Sequence, residues 1–195
     1  MNRLPCGRYV GVFAASSESL EPALYEEAHK LGRLLAQGGL GMVFGGGNNG
    51  LMGQVALGAR ETIQGGSPGR ITGIIPRCLR QQGYCFENAD EIIETESVSE
   101  RKRIMEEKSA GFVILPGGIG TLDEFFSVLG ARQLGFHSKP VVVVNFNGFY
   151  DSLAFLMEDL YKRKSISPAD MKHFTIVQDA EQAVSLMARL LEKSN

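Results

Sequence analysis

The chain has 195 residues, 44% of them apolar, and its 20 basic and 22 acidic side chains leave a formal charge of −2. A chain of that size and balance can bury a full core as one domain, which excludes a disordered polypeptide and a broadly basic nucleic-acid binder. Glycine is over-represented at 24 residues, about 12% against a usual share of about 7%, so some part of the fold needs bare backbone.

The segment Met1 to Ser17 carries Arg3 and Arg8, an apolar run and an Ala-Ala-Ser ending, the outline of a secretion signal. The run itself, Tyr9 to Ala15, contains Gly11 and reads instead as a strand entering a core. Pro22 opens a helix whose Leu24, Ala28, Leu31 and Leu35 share one face, and Gly38-Gly39 stops it. The pattern then predicts a strand over 40–44, a helix over 50–64, a surface turn over 65–69, a strand over 71–75 and a short strand over 91–95. A helix over 99–109, a strand over 112–115, a helix over 121–134, the most apolar strand over 141–146 and a helix over 150–162 follow. A last strand, 174–177, precedes a helix over 180–193.

Apolar strands alternating with helices predict a parallel sheet, because each crossover lays a helix on the sheet and buries both faces. The expected fold is α/β: residues 1–195 as a single Rossmann-like nucleotide-binding domain, doubly wound, with helices on both faces. No stretch approaches the roughly 18 to 20 apolar residues needed to cross a bilayer, so no membrane association is expected. Cys6, Cys78 and Cys85 are odd in number and form no C-x-x-C pair, which reads as reduced thiols in a cytoplasmic protein. His29, His137 and His173 are isolated, so no metal site is expected, and His29 and His137 read as structural.

In such sheets ligands bind at the carboxyl ends of the strands, where two glycine turns fall. The first, Gly45-Gly46-Gly47-Asn48-Asn49-Gly50, has the form G-x-G-x-x-G between strand and helix and suits a phosphate. A dinucleotide site also wants an acid at the tip of the next strand. That tip is Pro76-Arg77, which leaves only a 2′-phosphorylated cofactor as a dinucleotide option. The second turn runs from Pro116 through Gly117, Gly118, Ile119, Gly120 and Thr121 to Glu124, without the Lys of a triphosphatase loop. A purely structural explanation exists for its end, since Thr121 and Glu124 have capping-box spacing. Upstream, Arg101-Lys102-Arg103 near a helix start opposes the helix dipole and expects an anion, unless Glu106 and Glu107 partner it along the helix.

Val43 to Gly47, Gly50-Leu51-Met52-Gly53, Arg101-Lys102 and the run Pro116 to Glu124 together resemble the LOG ("lonely guy") family, long labelled lysine decarboxylases. The resemblance extends to Gln133-Leu134-Gly135, Lys139-Pro140 and Asn147 to Asp151, covering roughly residues 8 to 190. It implies hydrolysis of the N-glycosidic bond of a nucleoside 5′-monophosphate, a cytokinin ribotide or AMP, to free base and ribose 5-phosphate. It further implies Arg101 and Glu124 as the catalytic pair, Lys102 and Gly118 to Thr121 in the binding site, no cofactor, and a homodimer. The chemistry is compatible: glycosidic cleavage develops positive charge on the sugar, which a carboxylate such as Glu124 stabilises, and backbone amides at a helix start hold a phosphate. Lys102, the best candidate for the Schiff base that decarboxylation normally needs, is better explained as an anion contact of the family motif. Two departures stand out. Val98-Ser99 replaces the family's Met-His and Gly130-Ala131 its Thr-Trp, with Ser99 serviceable as a helix N-cap. The competing reading is a non-catalytic nucleotide or phosphorylated-cofactor carrier on the same fold.

Overall fold

The computed structural model describes residues 8–193, so Cys6 lies outside the described residues. Seven strands, β1 (Tyr9–Phe13), β2 (Gly41–Phe44), β3 (Ile71–Pro76), β4 (Glu91–Thr95), β5 (Gly111–Ile114), β6 (Val141–Val144) and β7 (Thr175–Val177), form one sheet in the order β4-β3-β2-β1-β5-β6-β7. Every pairing is parallel. The helices are α1 (Pro22–Gln37), α2 (Gly50–Gln64), α3 (Arg77–Gln81), α4 (Val98–Lys108), α5 (Ile119–Gln133), α6 (Asp151–Lys162) and α7 (Ala180–Glu192). The α/β doubly wound architecture read from the sequence is the one observed.

Residues alternate between two cores because successive strand side chains point to opposite faces. Val10, Val12, Met42, Phe44, Val113 and Val142 pack with α1, α2 and α7. Phe13, Val43, Ile74, Phe112, Ile114 and Val143 pack with Met105 of α4 and with α5 and α6. This two-sided burial explains why the strands read as continuous apolar runs rather than alternating ones.

Several boundaries move. The first strand stops at Phe13, and 14–17 is loop. The sixth stops at Val144, because Asn145 turns the chain: its Oδ1 accepts from the Tyr150 N–H at 2.6 Å, and its Nδ2 donates to Asp151 at 2.7 Å. A short helix, α3, occupies residues 77–81 that the periodicity left as loop, five residues being too few to show a repeat. Among the described residues no helix is long and apolar enough to cross a membrane.

Candidate active site

The strand order reverses at β1, which has β2 on one side and β5 on the other. At such a switch point the two following connections leave in opposite directions and open a crevice beyond the carboxyl ends. A cavity of about 580 Å³ lies there, within the range of small-molecule sites. Its walls are Ala14 to Ser17 after β1, Gly45 and Gly47 after β2, Ile75 of β3, Gly118 to Thr121 after β5, and the side chains of Met52, Tyr84, Arg101 and Glu124.

Arg101 and Glu124 meet in this cavity. Arg101 is the fourth residue of α4, and its Nη2 forms an ion pair with Glu124 Oε1 at 3.0 Å, the two side chains being 15% and 9% exposed. The arginine is also pinned through Nε to the Ile74 carbonyl at 3.2 Å. Burial holds the Glu124 carboxyl above its ordinary value, an effect the Arg101 guanidinium opposes; Asp123 adds to the rise and Lys102 works against it. The result is a desolvated carboxyl beside a charged donor in a cleft.

The capping box expected of Thr121 and Glu124 is not formed. Helix α5 begins two residues earlier, at Ile119 with Gly118 as its N-cap, so Glu124 sits in the second turn and reaches Arg101 instead. Capping of that type occurs at α4: Ser97, not Ser99, is the N-cap, with its Oγ accepting from the Glu100 N–H at 3.1 Å. The Glu100 carboxylate accepts from the Glu96 N–H at 2.9 Å. The basic triplet therefore lies one residue past an acidic first turn, which removes the dipole conflict read from the sequence. Its members diverge. Arg101 enters the cavity, Lys102 pairs with Asp123 at 2.9 Å, and Arg103 pairs with Glu107 at 2.7 Å along the helix. Lys102 is not among the residues lining the cavity.

The two glycine turns differ in what they leave free. At the first, the Asn48 N–H donates to the Tyr84 carbonyl at 3.1 Å, the Met52 N–H to the Ala15 carbonyl at 3.2 Å, and the Gly46 carbonyl accepts from the Phe86 N–H at 2.8 Å. A bridge between Gly47 and Cys85 completes an antiparallel strap against this turn. Of the amides that open α2, that of Met52 is thus engaged, while those of Gly50 and Leu51 belong to buried residues. At the second turn the amides of Ile119, Gly120 and Thr121 open α5 and have no acceptor among the described residues. A Cβ added at Gly118 or Gly120 would meet nothing within 4 Å, whereas one at Gly117 would lie 2.1 Å from Thr121 Oγ1. Gly117 is required by packing, and Gly118 to Thr121 present open backbone at a helix N-terminus.

The structure brings together Gly45, Gly47, Gly118, Ile119, Gly120, Thr121, Arg101 and Glu124 around one cavity; Gly46, Gly117 and Lys102 stand behind or beside it. Arg77 pairs with Glu94 at 3.3 Å and Glu96 at 2.7 Å, away from the lining. His29 pairs with Glu61 at 3.0 Å across α1 and α2, and the His137 side chain is 7% exposed. Sequence reasoning missed the lining residues Ala14 to Ser17, Met52 and Tyr84. Ser16-Ser17 follows the first strand at a carboxyl end, a usable signal, whereas Tyr84 is placed by the strap alone. It also missed Tyr150, whose buried hydroxyl donates to the Leu115 carbonyl at 2.8 Å and anchors the base of the second turn.

Residues 52–187 match the sequence model of the family described as possible lysine decarboxylase. The chain belongs to this family, the LOG family of the sequence resemblance. It is 36% identical over 179 residues, 92% of each chain, to the cytokinin riboside 5′-monophosphate phosphoribohydrolase of Mycobacterium tuberculosis. It is 37% identical over 177 residues to a probable cytokinin riboside 5′-monophosphate phosphoribohydrolase of Oryza sativa subsp. japonica, covering 91% of this chain and 76% of the relative. Among solved structures, the molybdenum cofactor carrier protein of Chlamydomonas reinhardtii superposes with a TM-score of 0.73 at 22% identity, covering 95% of this chain and 98% of the other. At that identity the likeness is one of fold.

Proposed function

We propose that this LOG-family chain hydrolyses the N-glycosidic bond of a nucleoside 5′-monophosphate, with water as co-substrate and free base and ribose 5-phosphate as products. The observation that carries the reading is the Arg101–Glu124 pair inside a nucleotide-sized cavity, in a chain 36% and 37% identical over the aligned residues to proteins named for this reaction. In this reading the 5′-phosphate sits on the open amides of Ile119, Gly120 and Thr121, which anchors the substrate away from the bond being cut. Ionised Glu124 faces the ribose, stabilises positive charge as the bond to the base breaks, and accepts from the attacking water a proton that passes on to the departing base nitrogen, which restores the carboxylate. Arg101 acts by charge and by its N–H groups rather than by transferring a proton. It directs the carboxylate through Nη2, while Nη1, which has no acceptor among the described residues, turns a charged N–H toward the leaving base.

Residues 1–195 act as a single cytoplasmic domain in this reading, with AMP or an N6-modified analogue as substrate and a homodimer as the working form. Val98, Ile119 and Phe126 support the dimer. They are 52%, 90% and 41% exposed on the helices that carry the pair, an apolar rim that a second copy would cover. Light scattering tests the dimer, and a monomer that remains active would remove it.

The deciding experiment incubates purified protein with AMP and, separately, isopentenyladenosine 5′-monophosphate, with chromatography for free base and ribose 5-phosphate. Release of both products, lost in Glu124→Gln, is the expected result. Binding of nucleotide without release from any purine or pyrimidine monophosphate would overturn the hydrolase reading in favour of a carrier.

A further inference from the structure

The three glycines of the first turn read from sequence as a phosphate cradle, yet their surroundings point elsewhere. A Cβ built at Gly45 would lie 1.9 Å from Arg101 Nη2, 3.0 Å from its Cζ and 2.9 Å from Met52 Sδ. The Nη2 end of the guanidinium therefore occupies the space a Gly45 side chain would fill, with Nε held by the Ile74 carbonyl and Nη2 paired with Glu124. A Cβ at Gly47, in contrast, would meet the flexible end of Met52 at 3.1 Å and the Tyr84 carbonyl at 3.7 Å, with no contact to Arg101.

We infer that Gly45 is a positioning residue whose missing side chain forms the seat of the Arg101 guanidinium, and that the first glycine turn orients the ion pair rather than binding the substrate phosphate. Two further observations agree. The amides of Asn48 and Met52 are already bonded to the Tyr84 and Ala15 carbonyls, and the remaining amides that open α2, those of Gly50 and Leu51, belong to buried residues. The strap of residues 83–86 fixes the turn from its other side, through the Phe86 N–H on the Gly46 carbonyl at 2.8 Å and the Asn48 amide on the Gly83 carbonyl at 3.1 Å. The exposed phosphate site is then the start of α5, which fits a mononucleotide. The inference rests on the hydrolase reading for its kinetic consequences but not for its geometry.

Gly45→Ala is the test. The new methyl displaces the end of a flexible side chain, so the protein folds while the guanidinium swings away by more than an ångström. A misplacement of that size costs about a hundredfold in kcat, whereas KM and the Kd for ribose 5-phosphate stay within about threefold. With the positive charge withdrawn, the Glu124 titration, followed by carboxyl-labelled NMR and by the acid limb of kcat, moves upward toward that of Arg101→Ala. In the Arg101→Ala background, adding Gly45→Ala produces no further loss of turnover, because only the flexible end of Met52 is left to displace. Gly47→Ala leaves the Glu124 titration where it is.

The inference is overturned if Gly45→Ala raises KM and the ribose 5-phosphate Kd tenfold with kcat and titration unchanged, which would return the turn to phosphate binding. It is equally overturned if the two substitutions act additively. Should Gly45→Ala fail to fold, the Gly45→Ala/Arg101→Ala double variant must fold with the Tm of Arg101→Ala, and its failure overturns the inference as well. If the unaltered protein hydrolyses no nucleotide, the hydrolase reading fails alone, since the NMR titration still decides where the guanidinium lies.

Discussion

Glu124→Gln separates the chemistry of the site from its architecture. The substitution preserves shape and one carbonyl oxygen, so Arg101 Nη2 keeps an acceptor where it now finds Oε1 at 3.0 Å, and Nε keeps the Ile74 carbonyl. Exchanging the charged partner for a neutral one weakens that contact by about 1 kcal/mol. Against this, a carboxylate whose residue is 7% exposed no longer has to be desolvated, an opposing effect of similar size. The net change in stability is therefore within about 1 kcal/mol, a Tm shift of no more than about 2–4 °C for a chain of this length. Turnover responds differently, because an uncharged amide neither stabilises positive charge on the ribose nor accepts a proton from water. Loss of one positioned electrostatic group lowers kcat by about a hundredfold to a thousandfold. The assay pairs base release from AMP with thermal melting. Retained turnover at an unchanged Tm refutes the role of Glu124, and turnover lost together with several degrees of Tm refutes the separation argued from the pair's geometry.

Other outcomes follow from the same structure. Since burial raises the Glu124 carboxyl above its ordinary value of 4.5 and the ionised form is the active one, kcat falls at acid pH through an apparent value above 4.5; a pH profile checks this, and Glu124→Gln lacks that limb. In stability the sign is opposite. Between 4.5 and the raised value the native state holds the extra proton, so this group's contribution is lost as pH rises, a slope that melts of Glu124→Gln should lack. Tyr150→Phe strands the buried Leu115 carbonyl at the base of the second glycine turn, with an expected loss of about 1–3 kcal/mol in chemical denaturation and a higher KM. Gly118→Ala folds normally, since its Cβ meets nothing within 4 Å, but raises KM for the monophosphate by crowding the amides of α5. Gly117→Ala, whose Cβ would lie 2.1 Å from Thr121 Oγ1, is destabilised by about 1–3 kcal/mol as read by Tm.

Much of the fold was legible because its signals are local. The all-valine run of β6, Val141 to Val144, and the Leu24, Ala28, Leu31 and Leu35 face of α1 declare their periods within a few residues, and both proved buried. The fold class follows from their alternation. The site was legible only in part. The residues of the second glycine turn were readable as bare backbone beside a helix, but the choice between a capping box and a substrate site depended on which residue starts α5. That start is set by how Gly117 packs on Thr121, and no spacing rule supplies it. For Glu124 the deciding contact is with Arg101, 23 positions away, which family likeness pointed to and α4 packing realises.

The sequence by itself determined the α/β class, the parallel sheet, the glycine turns at the strands' carboxyl ends and the family. It did so because apolar periodicity and glycine punctuation act over a few residues along the chain. Tertiary structure alone decided that Ala14 to Ser17 and Tyr84 wall the cavity, that Lys102 turns aside to Asp123, and that Gly45 lies beneath a guanidinium. These outcomes depend on the order β3-β2-β1-β5, which sets side by side four loops far apart in sequence and lets neighbouring groups compete for the same hydrogen bonds.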